Sequence, residues 1–299
     1  PTPRLLTLSL AGALGSCAPA PPAAWMDAEV PEPTVFAPGV VSTGLRESGI
    51  SFSPDGREAY FTRRARRGAA LIFVSRYGES GWEEAELAPF AEEGDEAPFV
   101  TADGDALYFS SRRPIPGYWD RSENIWVVRR AGDGWAEPEP LSGTVNQPRN
   151  ELEEFATGTE LGAHLLPSGE LMYWTRVSPD WGSDIYIADP DAEGGFVDAR
   201  PLRINSVGDE SYAALSPDGR FLVFQGYRSA DGFGGDDLYV SERTDFGWGQ
   251  PRLLPEPINS SGYDGHPSFS PNGRLFFFAS DRTDRFRDIY YVDVGALGI

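Results

Sequence analysis

One acidic position recurs along the chain, nine residues before each of five glycines that close a predicted turn. The five acids are Glu47, Asp95, Glu160, Glu210 and Asp264. Carboxylates that converge raise one another's pKa values and favour the capture of a cation. Arginine follows most of the same glycines by eight or nine residues, at Arg64, Arg112, Arg228 and Arg282, with Arg176 one place earlier in the third segment. The pattern therefore predicts either a charged ring that binds a ligand or a repeated set of structural ion pairs.

Large aromatic side chains form a second candidate group. They lie in polar, glycine- and proline-rich stretches that follow the arginines, where aromatic rings suit sugar stacking or protein contacts. The alternative is that these rings only cover neighbouring elements. The residues are Tyr118, Trp119, Trp181, Phe233 and Phe286.

Most familiar catalytic and cofactor motifs are absent from the sequence. The only histidines are His164 and His266 and the only cysteine is Cys17, so a three-histidine metal site and an internal disulfide are excluded. No Gly-x-Ser-x-Gly nucleophile motif and no phosphate-binding loop occurs. The acidic stretch from Asp189 begins like a calcium-binding loop, but its twelfth position is Arg200. The sequence predicts no cofactor, and each histidine is expected to be packed rather than catalytic.

Five internal repeats position these side chains. Each repeat has a turn such as Ser53-Pro-Asp-Gly56, an aromatic run such as Ala59-Tyr-Phe-Thr62, and a third run such as Ile289-Tyr-Tyr-Val292. Proline presets one turn dihedral and glycine accepts positive φ, so each turn joins two strands of a hairpin. Four strands in about 50 residues are typical of one propeller blade. The sequence therefore predicts an all-β protein, a β-propeller of five blades with four antiparallel strands each, with six blades as the alternative.

The last repeat lacks its fourth strand. Residues 31–41 resemble the fourth-strand segments of other repeats, so we expect an N-terminal strand to complete the last blade and close the ring.

The repeats resemble the TolB-type, WD-repeat-like propellers of bacterial envelope proteins. The resemblance covers residues 45–294 and rests on the Ser-Pro-Asp-Gly turns and on Asp-Ile-Tyr at residues 184–186 and 288–290. The second and third turns depart from it with Ala102 and Ser168. Because the family is diverse in function, the resemblance implies a fold and an envelope location rather than an activity.

The N-terminal segment has the pattern of an export signal. An apolar run after Arg4 is too short to span a bilayer, and Leu14-Gly-Ser-Cys17 resembles the bacterial lipobox. We expect a signal peptide over residues 1–16, a lipidated Cys17 with a Pro/Ala tether over 17–33, and one propeller domain over 34–299. The alternative is an ordinary signal peptide with an incidental cysteine. Residue 18 is Ala and not the Asp that, in the diderm sorting rule, retains a lipoprotein in the inner membrane. This favours anchoring to the outer membrane, on its periplasmic side.

Charge excludes another class of function. The 299 residues carry a formal net charge of −21, and every Lys/Arg position is Arg. Such a chain repels nucleic-acid backbones. The sequence favours a lipid-anchored envelope protein whose propeller binds a protein or glycan without catalysis, with the membrane reached only through the anchor. The alternative is a carbohydrate-active enzyme, a glycosidase or lyase, that uses carboxylates at the channel mouth; a purely structural role also stays open.

Overall fold

The structure is a computed structural model of the chain. It describes residues 22–65, 67–116, 122–146, 159–176, 182–227, 232–283 and 286–299. The described strands form five antiparallel sheets arranged as the blades of a propeller, so the prediction of five blades is confirmed and six is wrong.

Each blade begins with an inner strand and continues outward through a hairpin. Blade 1 contains β2 (Arg46–Phe52), β3 (Glu58–Arg64), β4 (Ala70–Gly78), β5 (Gly81–Trp82) and β6 (Glu86–Leu87). Blade 2 contains β7 (Glu96–Val100), β8 (Ala106–Ser111), β9 (Asn124–Ala131), β10 (Gly134–Trp135) and β11 (Glu139–Pro140). Blade 3 contains β12 (Glu160–Leu165), β13 (Leu171–Arg176), β14 (Ser183–Pro190) and β15 (Phe196–Pro201). Blade 4 contains β16 (Asp209–Leu215), β17 (Phe221–Tyr227), β18 (Asp237–Thr244), β19 (Gly247–Trp248) and β20 (Arg252–Leu253).

Blade 5 combines both ends of the chain. It contains β21 (Asp264–Phe269), β22 (Leu275–Ser280), β23 (Asp288–Asp293) and, on its outer edge, β1 (Thr34–Val35). Thr34 pairs with Tyr291 and Val35 with Tyr290. The predicted closure of the ring by an N-terminal strand is therefore confirmed.

The hydrophobic core is divided into five clusters, one between each pair of neighbouring blades. The largest fully buried side chains come from the aromatic runs of the second strands, including Phe61, Phe109, Phe224 and Phe277. Phe277 of blade 5, for example, packs with Phe52 and Phe61 of blade 1. Because each cluster needs two blades, burial of apolar surface holds the ring closed and the inner strands in place.

The inner hairpins turn at one face of the ring, as the repeated turns predict. In blade 1 the Ser53 hydroxyl donates to Asp55 Oδ1 at 2.7 Å, and Asp55 Oδ1 accepts the Arg57 backbone N–H at 3.0 Å. Gly56 has φ +71°, which a residue with a Cβ adopts only with strain. The corresponding side-chain hydrogen bonds in blades 2, 4 and 5 join Thr101 to Asp103, Ser216 to Asp218, and Ser270 to Asn272. We call this face the turn end.

Packed structure begins upstream of the first strand. Ala24–Asp27 forms a 3₁₀ turn, and Met26 is buried. Trp25 donates its indole N–H to the Gly56 carbonyl at 2.7 Å, and the Ala23 N–H donates to the Asp55 carbonyl at 2.9 Å. The domain thus extends from Thr34 back to Ala23, because two large apolar side chains anchor this stretch to the turn end.

The candidate channel sites

The five predicted acids lie within one residue of the start of the inner strands, at the end of the ring opposite the turns. We call this the acid end. All five are buried, with at most 4% of the residue exposed. Glu47 accepts the Thr43 hydroxyl at 2.6 Å, Glu210 the Ser206 hydroxyl at 2.5 Å, and Asp264 the Ser260 hydroxyl at 2.7 Å. Asp95 accepts the Glu92 N–H at 2.8 Å. These four carboxylates therefore bind the segment that crosses from the preceding blade.

Three of the acids also form ion pairs within their own blade. Glu47 pairs with Arg63 at 2.9 Å, Asp95 with Arg113 at 2.7 Å and Asp264 with Arg282 at 2.7 Å. Each arginine also donates to backbone carbonyls of the crossing segment, for example from Arg282 to Pro257 at 2.6 Å. The geometry supports the structural alternative for these acids.

Two of the expected arginine partners are wrong by one position. Arg64 instead pairs with Glu96 of the next blade, and Arg112 with Glu123. In blade 1 the cause is an extra residue in the inner strand: Ser48 faces Thr62 while Ile50 faces Phe61, so Gly49 is bulged. Glu47 consequently faces Arg63. Arg282 is placed as expected, Arg176 ends β13, and Arg228 lies outside the described residues.

The structure describes only two of the five predicted aromatic residues. Tyr118, Trp119 and Trp181 lie outside the described residues, as does Cys17. Phe233 is 45% exposed beside the start of β18, where its N–H donates to Asp237 at 2.9 Å. Phe286 lies under the Arg46 guanidinium, with 5.8 Å from the guanidinium carbon to the ring centroid. Binding by these aromatics stays a prediction.

A ring of bulged residues divides the channel. All five inner strands carry one residue of positive φ, two positions after the ring acid: Gly49, Ala97, Gly162, Tyr212 and His266. We call these residues the waist. The Tyr212 and His266 rings lie 3.8 Å apart, centroid to centroid, and both contact the cavities on either side. Burial, helped by Arg287, lowers the pKa of His266 to about 3, so its imidazole is neutral.

The turn-end cavity has a volume of about 520 Å³. Among the described residues, its lining includes Phe99, Leu165 and Phe269 but no Asp, Glu or Arg. His164 stacks on Phe99 with centroids 4.2 Å apart, and burial lowers its pKa to about 4. The Ser268 hydroxyl has no hydrogen-bond partner among the described residues. Prolines from every blade contribute to the lining: Pro54, Pro98, Pro167, Pro217 and Pro271.

The second cavity is a charged chamber of about 270 Å³ at the acid end, which we call the acid-end chamber. Arg46, Arg64 and Arg287 line it together with Glu96 and Asp236. Burial raises the pKa values of both carboxyls, although Arg64 partly offsets this for Glu96 and Arg287 does so for Asp236.

Sequence reasoning missed the waist and most of this chamber. Tyr212 and His266 occupy a position that is Gly or Ala in the other three blades. Asp236 and Arg287 also share one position, two residues before Leu238 and Ile289, where blades 2 and 3 have Glu123 and Ser183. Departures from the repeat were therefore the available signal for these residues, and the repeated acids were not.

Two further features bear on function. Within the described ranges, no three His, Cys, Asp or Glu side chains converge as a metal site. The described part of the chain also contains no helix long and apolar enough to cross a bilayer.

Comparison with solved structures places the fold. The chain is similar to a putative TolB from Agrobacterium tumefaciens, at 18% identity and a TM-score of 0.52, over 85% of this chain and 79% of that one. TolB from Acinetobacter baumannii matches at 15% identity and a TM-score of 0.51, over 82% of this chain. The predicted resemblance to TolB propellers is confirmed at the level of the fold.

The same fold occurs in an enzyme of known structure. Bacillus subtilis arabinanase matches at 11% identity and a TM-score of 0.52, over 84% of this chain and 95% of that one. The match to Acinetobacter TolB spans only 54% of that protein. No protein-family model and no curated protein matches the sequence. At these identities the similarities show the fold alone.

Proposed function

We propose that this chain is a lipid-anchored protein of the bacterial cell envelope whose propeller binds a partner at the turn end of its channel without catalysing a reaction. The turn-end cavity carries the proposal. Its volume of about 520 Å³ lies in the range of ordinary ligand sites. An uncharged lining is unexpected by chance in a chain of net charge −21.

The lining favours an uncharged, apolar segment of a partner protein over a glycan. Glycan recognition needs many free polar groups. The hydroxyls of Thr101, Ser216 and Ser270 already donate hydrogen bonds to the side chains of Asp103, Asp218 and Asn272 in their turns. Phe99, Leu165 and Phe269 offer apolar contact area instead. A charged segment would lose its hydration there without gaining an ion pair.

The place where the N-terminal segment joins the propeller supports an anchor near this cavity. Ala23 and Trp25 bind the Asp55–Gly56 turn, on the turn end. Cys17 precedes Ala23 by six residues, which span at most about 20 Å when extended. A lipid on Cys17 would hold the turn end close to the membrane surface, where an envelope partner is within reach.

Site-specific photo-crosslinking in the native envelope tests the partner site. A photoreactive phenylalanine analogue replaces Ala102, an exposed residue of the turn-end lining, and, as a control, Phe246, which is 95% exposed on the outer β18–β19 hairpin. We expect a discrete adduct from position 102 and none from 246. Equal labelling from both positions, or no adduct from 102, contradicts the proposed site.

The anchor is tested separately. Replacement of Cys17 by serine in the full-length gene product should abolish labelling by radioactive palmitate and release the protein from the membrane fraction. Cell fractionation reads out both the anchoring and the membrane that holds it. Unchanged sedimentation with the membranes overturns the lipid anchor but leaves the cavity proposal standing.

The acid-end chamber favours a second candidate, a carbohydrate-active enzyme. Glycosidases need one carboxyl with a raised pKa and a second carboxylate about 5–10 Å away. Glu96 and Asp236 both line the chamber, and burial raises both pKa values, so either carboxyl is suited to act as the acid of such a pair. Cleavage of arabinan or another polysaccharide by the wild type that is lost in both Glu96→Gln and Asp236→Asn supports the enzyme. Absence of cleavage across a polysaccharide panel supports the binding protein.

A further inference from the structure

Two guanidinium groups in the acid-end chamber have no carboxylate partner among the described residues. The Arg287 guanidinium carbon lies 3.4 Å from the centroid of the Tyr263 ring, and Arg46 stacks on Phe286. Neither arginine forms an ion pair with a described carboxylate, whereas Arg63, Arg113 and Arg282 in the adjoining ring all do. Stacking leaves the N–H edges of a guanidinium available to an anion. The chamber therefore presents donors without an acceptor.

The acids of the chamber are engaged elsewhere. Glu47 is bound by Arg63 and Thr43, and Glu96 accepts from Arg64 at 3.3 Å. Asp236 accepts from the Gln225 amide at 3.1 Å and has no arginine within ion-pair distance among the described residues. With those pairs neutralised, Asp236 is the one carboxylate left in the described lining to face Arg46 and Arg287, and Asp209 lies near enough to raise its pKa. The excess of one positive charge fits a monoanion better than a dianion.

A buried acceptor completes the site. His266 is only 8% exposed, lines this chamber as well as the turn-end cavity, and has no hydrogen-bond partner for Nδ1 within the described residues. Its low pKa of about 3 keeps the ring neutral, so one ring nitrogen can accept a hydrogen bond. A buried polar atom without a partner is costly unless a ligand or water supplies one. A hydroxyl group on the anion is the matching donor.

We propose that the acid-end chamber binds a small monoanionic hydroxy acid, whose carboxylate lies against Arg287 and Arg46 and whose hydroxyl donates to His266 Nδ1. The chamber volume of about 270 Å³ corresponds to roughly nine water molecules at about 30 Å³ each. This volume accommodates acids from D-glycerate to D-gluconate. The site is separated from the turn-end cavity by the waist and does not depend on the proposed partner.

Calorimetric titration with matched probes tests the site. D-Glycerate and D-gluconate are compared with glycerol and sorbitol, which carry CH₂OH in place of the carboxylate, and with propionate, which is glycerate without its two hydroxyls. We expect one of the two hydroxy acids to bind, propionate to bind more weakly and the polyols not at all. Inorganic phosphate should bind more weakly than that acid. The two acids differ in length, so the preferred one reports the size of the natural ligand.

Arginine variants show where the probe binds. Arg287→Gln should weaken binding of the preferred acid at least about tenfold, because a charge-assisted hydrogen bond is lost. Arg243→Gln is the control: Arg243 stacks on Trp248 with 5.5 Å from its guanidinium carbon to the ring, on the outer edge of blade 4. It should bind as the wild type does. Arg46→Gln should also weaken binding. Because the Arg46 side chain is exposed, this variant should fold normally, and it tests the site even if the Arg287 variant misfolds.

Three outcomes would overturn the site. The first is that neither hydroxy acid binds the wild type with a Kd below roughly 10 mM. The second is that phosphate binds as tightly as the acids. The third is that Arg287→Gln and Arg46→Gln, with unfolding midpoints like the wild type, bind the acid as well as Arg243→Gln does.

Discussion

The turn end and the acid end of the channel have opposite chemistry, although the same five inner strands build both. The turn-end cavity has no charged residue in its lining, while the acid-end chamber is lined by arginines and carboxylates. At the acid end, four of the five repeated acids hold the crossing segments, and one of them, Glu47, also lines the chamber. Asp236 and Arg287 enter the chamber from a position that varies between blades. At this end, repetition therefore marks mainly structure, and departure from it supplies much of the chamber's charge.

The largest expected effect comes from removing a repeated acid. Asp264→Asn leaves Arg282 partly buried without its carboxylate, which should cost about 3–5 kcal/mol of unfolding free energy. At about 2–4 °C per kcal/mol, calorimetry should show a midpoint lower by roughly 6–20 °C. The turn-end control is Asp103→Asn, because blade 5 already has Asn272 at that position. A similar loss in both variants would remove the distinction between the two ends.

The two buried histidines predict a pH dependence. In the folded state the pKa values of His164 and His266 are about 4 and about 3, because both rings are buried. An unfolded chain protonates histidine below about pH 6.5. The unfolded state therefore binds more protons, so the stability that the neutral histidines contribute is present above pH 6.5 and is lost as the pH falls towards 4.

His266→Asn isolates one of these contributions, since asparagine tolerates the positive φ of 50° at this position. Chemical denaturation between pH 6.5 and 4.5 should give a slope shallower than the wild type by up to about 1.4 kcal/mol per pH unit. The raised carboxyl pKa values act in the opposite direction but are shared by both proteins. Parallel pH profiles would show that His266 is not held neutral.

The smallest expected effect concerns the backbone of the waist. Ala97 has φ +54°, a conformation that costs a non-glycine residue about 1–2 kcal/mol. Ala97→Gly relieves this strain while losing a buried methyl group, so unfolding midpoints should change little. Ala163→Gly, at a buried inner-strand alanine of the next blade without positive φ, should destabilise by about 0.5–1 kcal/mol. Equal losses would mean that the bulge at Ala97 is not strained.

The fold was predictable because its signals are local and repeat. The Ser53–Gly56 turn, the aromatic second strands and the segment that contains Thr34 each carry their information in a few adjacent residues. The bulge at Gly49 was not predictable, because it depends on how two strands pair rather than on either strand alone. That single inserted residue moved the partner of Glu47 from Arg64 to Arg63.

The acid-end chamber was not predictable for a different reason. Arg287, Asp236 and Glu96 come from three blades and meet only when the ring closes. Their positions vary between repeats, so no periodic pattern marks them. The turn-end cavity was equally hidden, since its lining consists of ordinary strand and turn residues whose shared lack of charge is visible only in three dimensions.

Titration with a neutral fluorescent probe tests the two-ended channel most directly. N-Phenyl-1-naphthylamine is apolar and uncharged, so it should enter the turn-end cavity and not the acid-end chamber. Ser268→Arg places a charge in the first cavity, and Ser48→Arg places the same charge in the second. The account predicts that Ser268→Arg weakens probe binding at least about tenfold, or about 1.4 kcal/mol, while Ser48→Arg leaves it unchanged. Equal weakening by both variants, or weakening by Ser48→Arg alone, would contradict it.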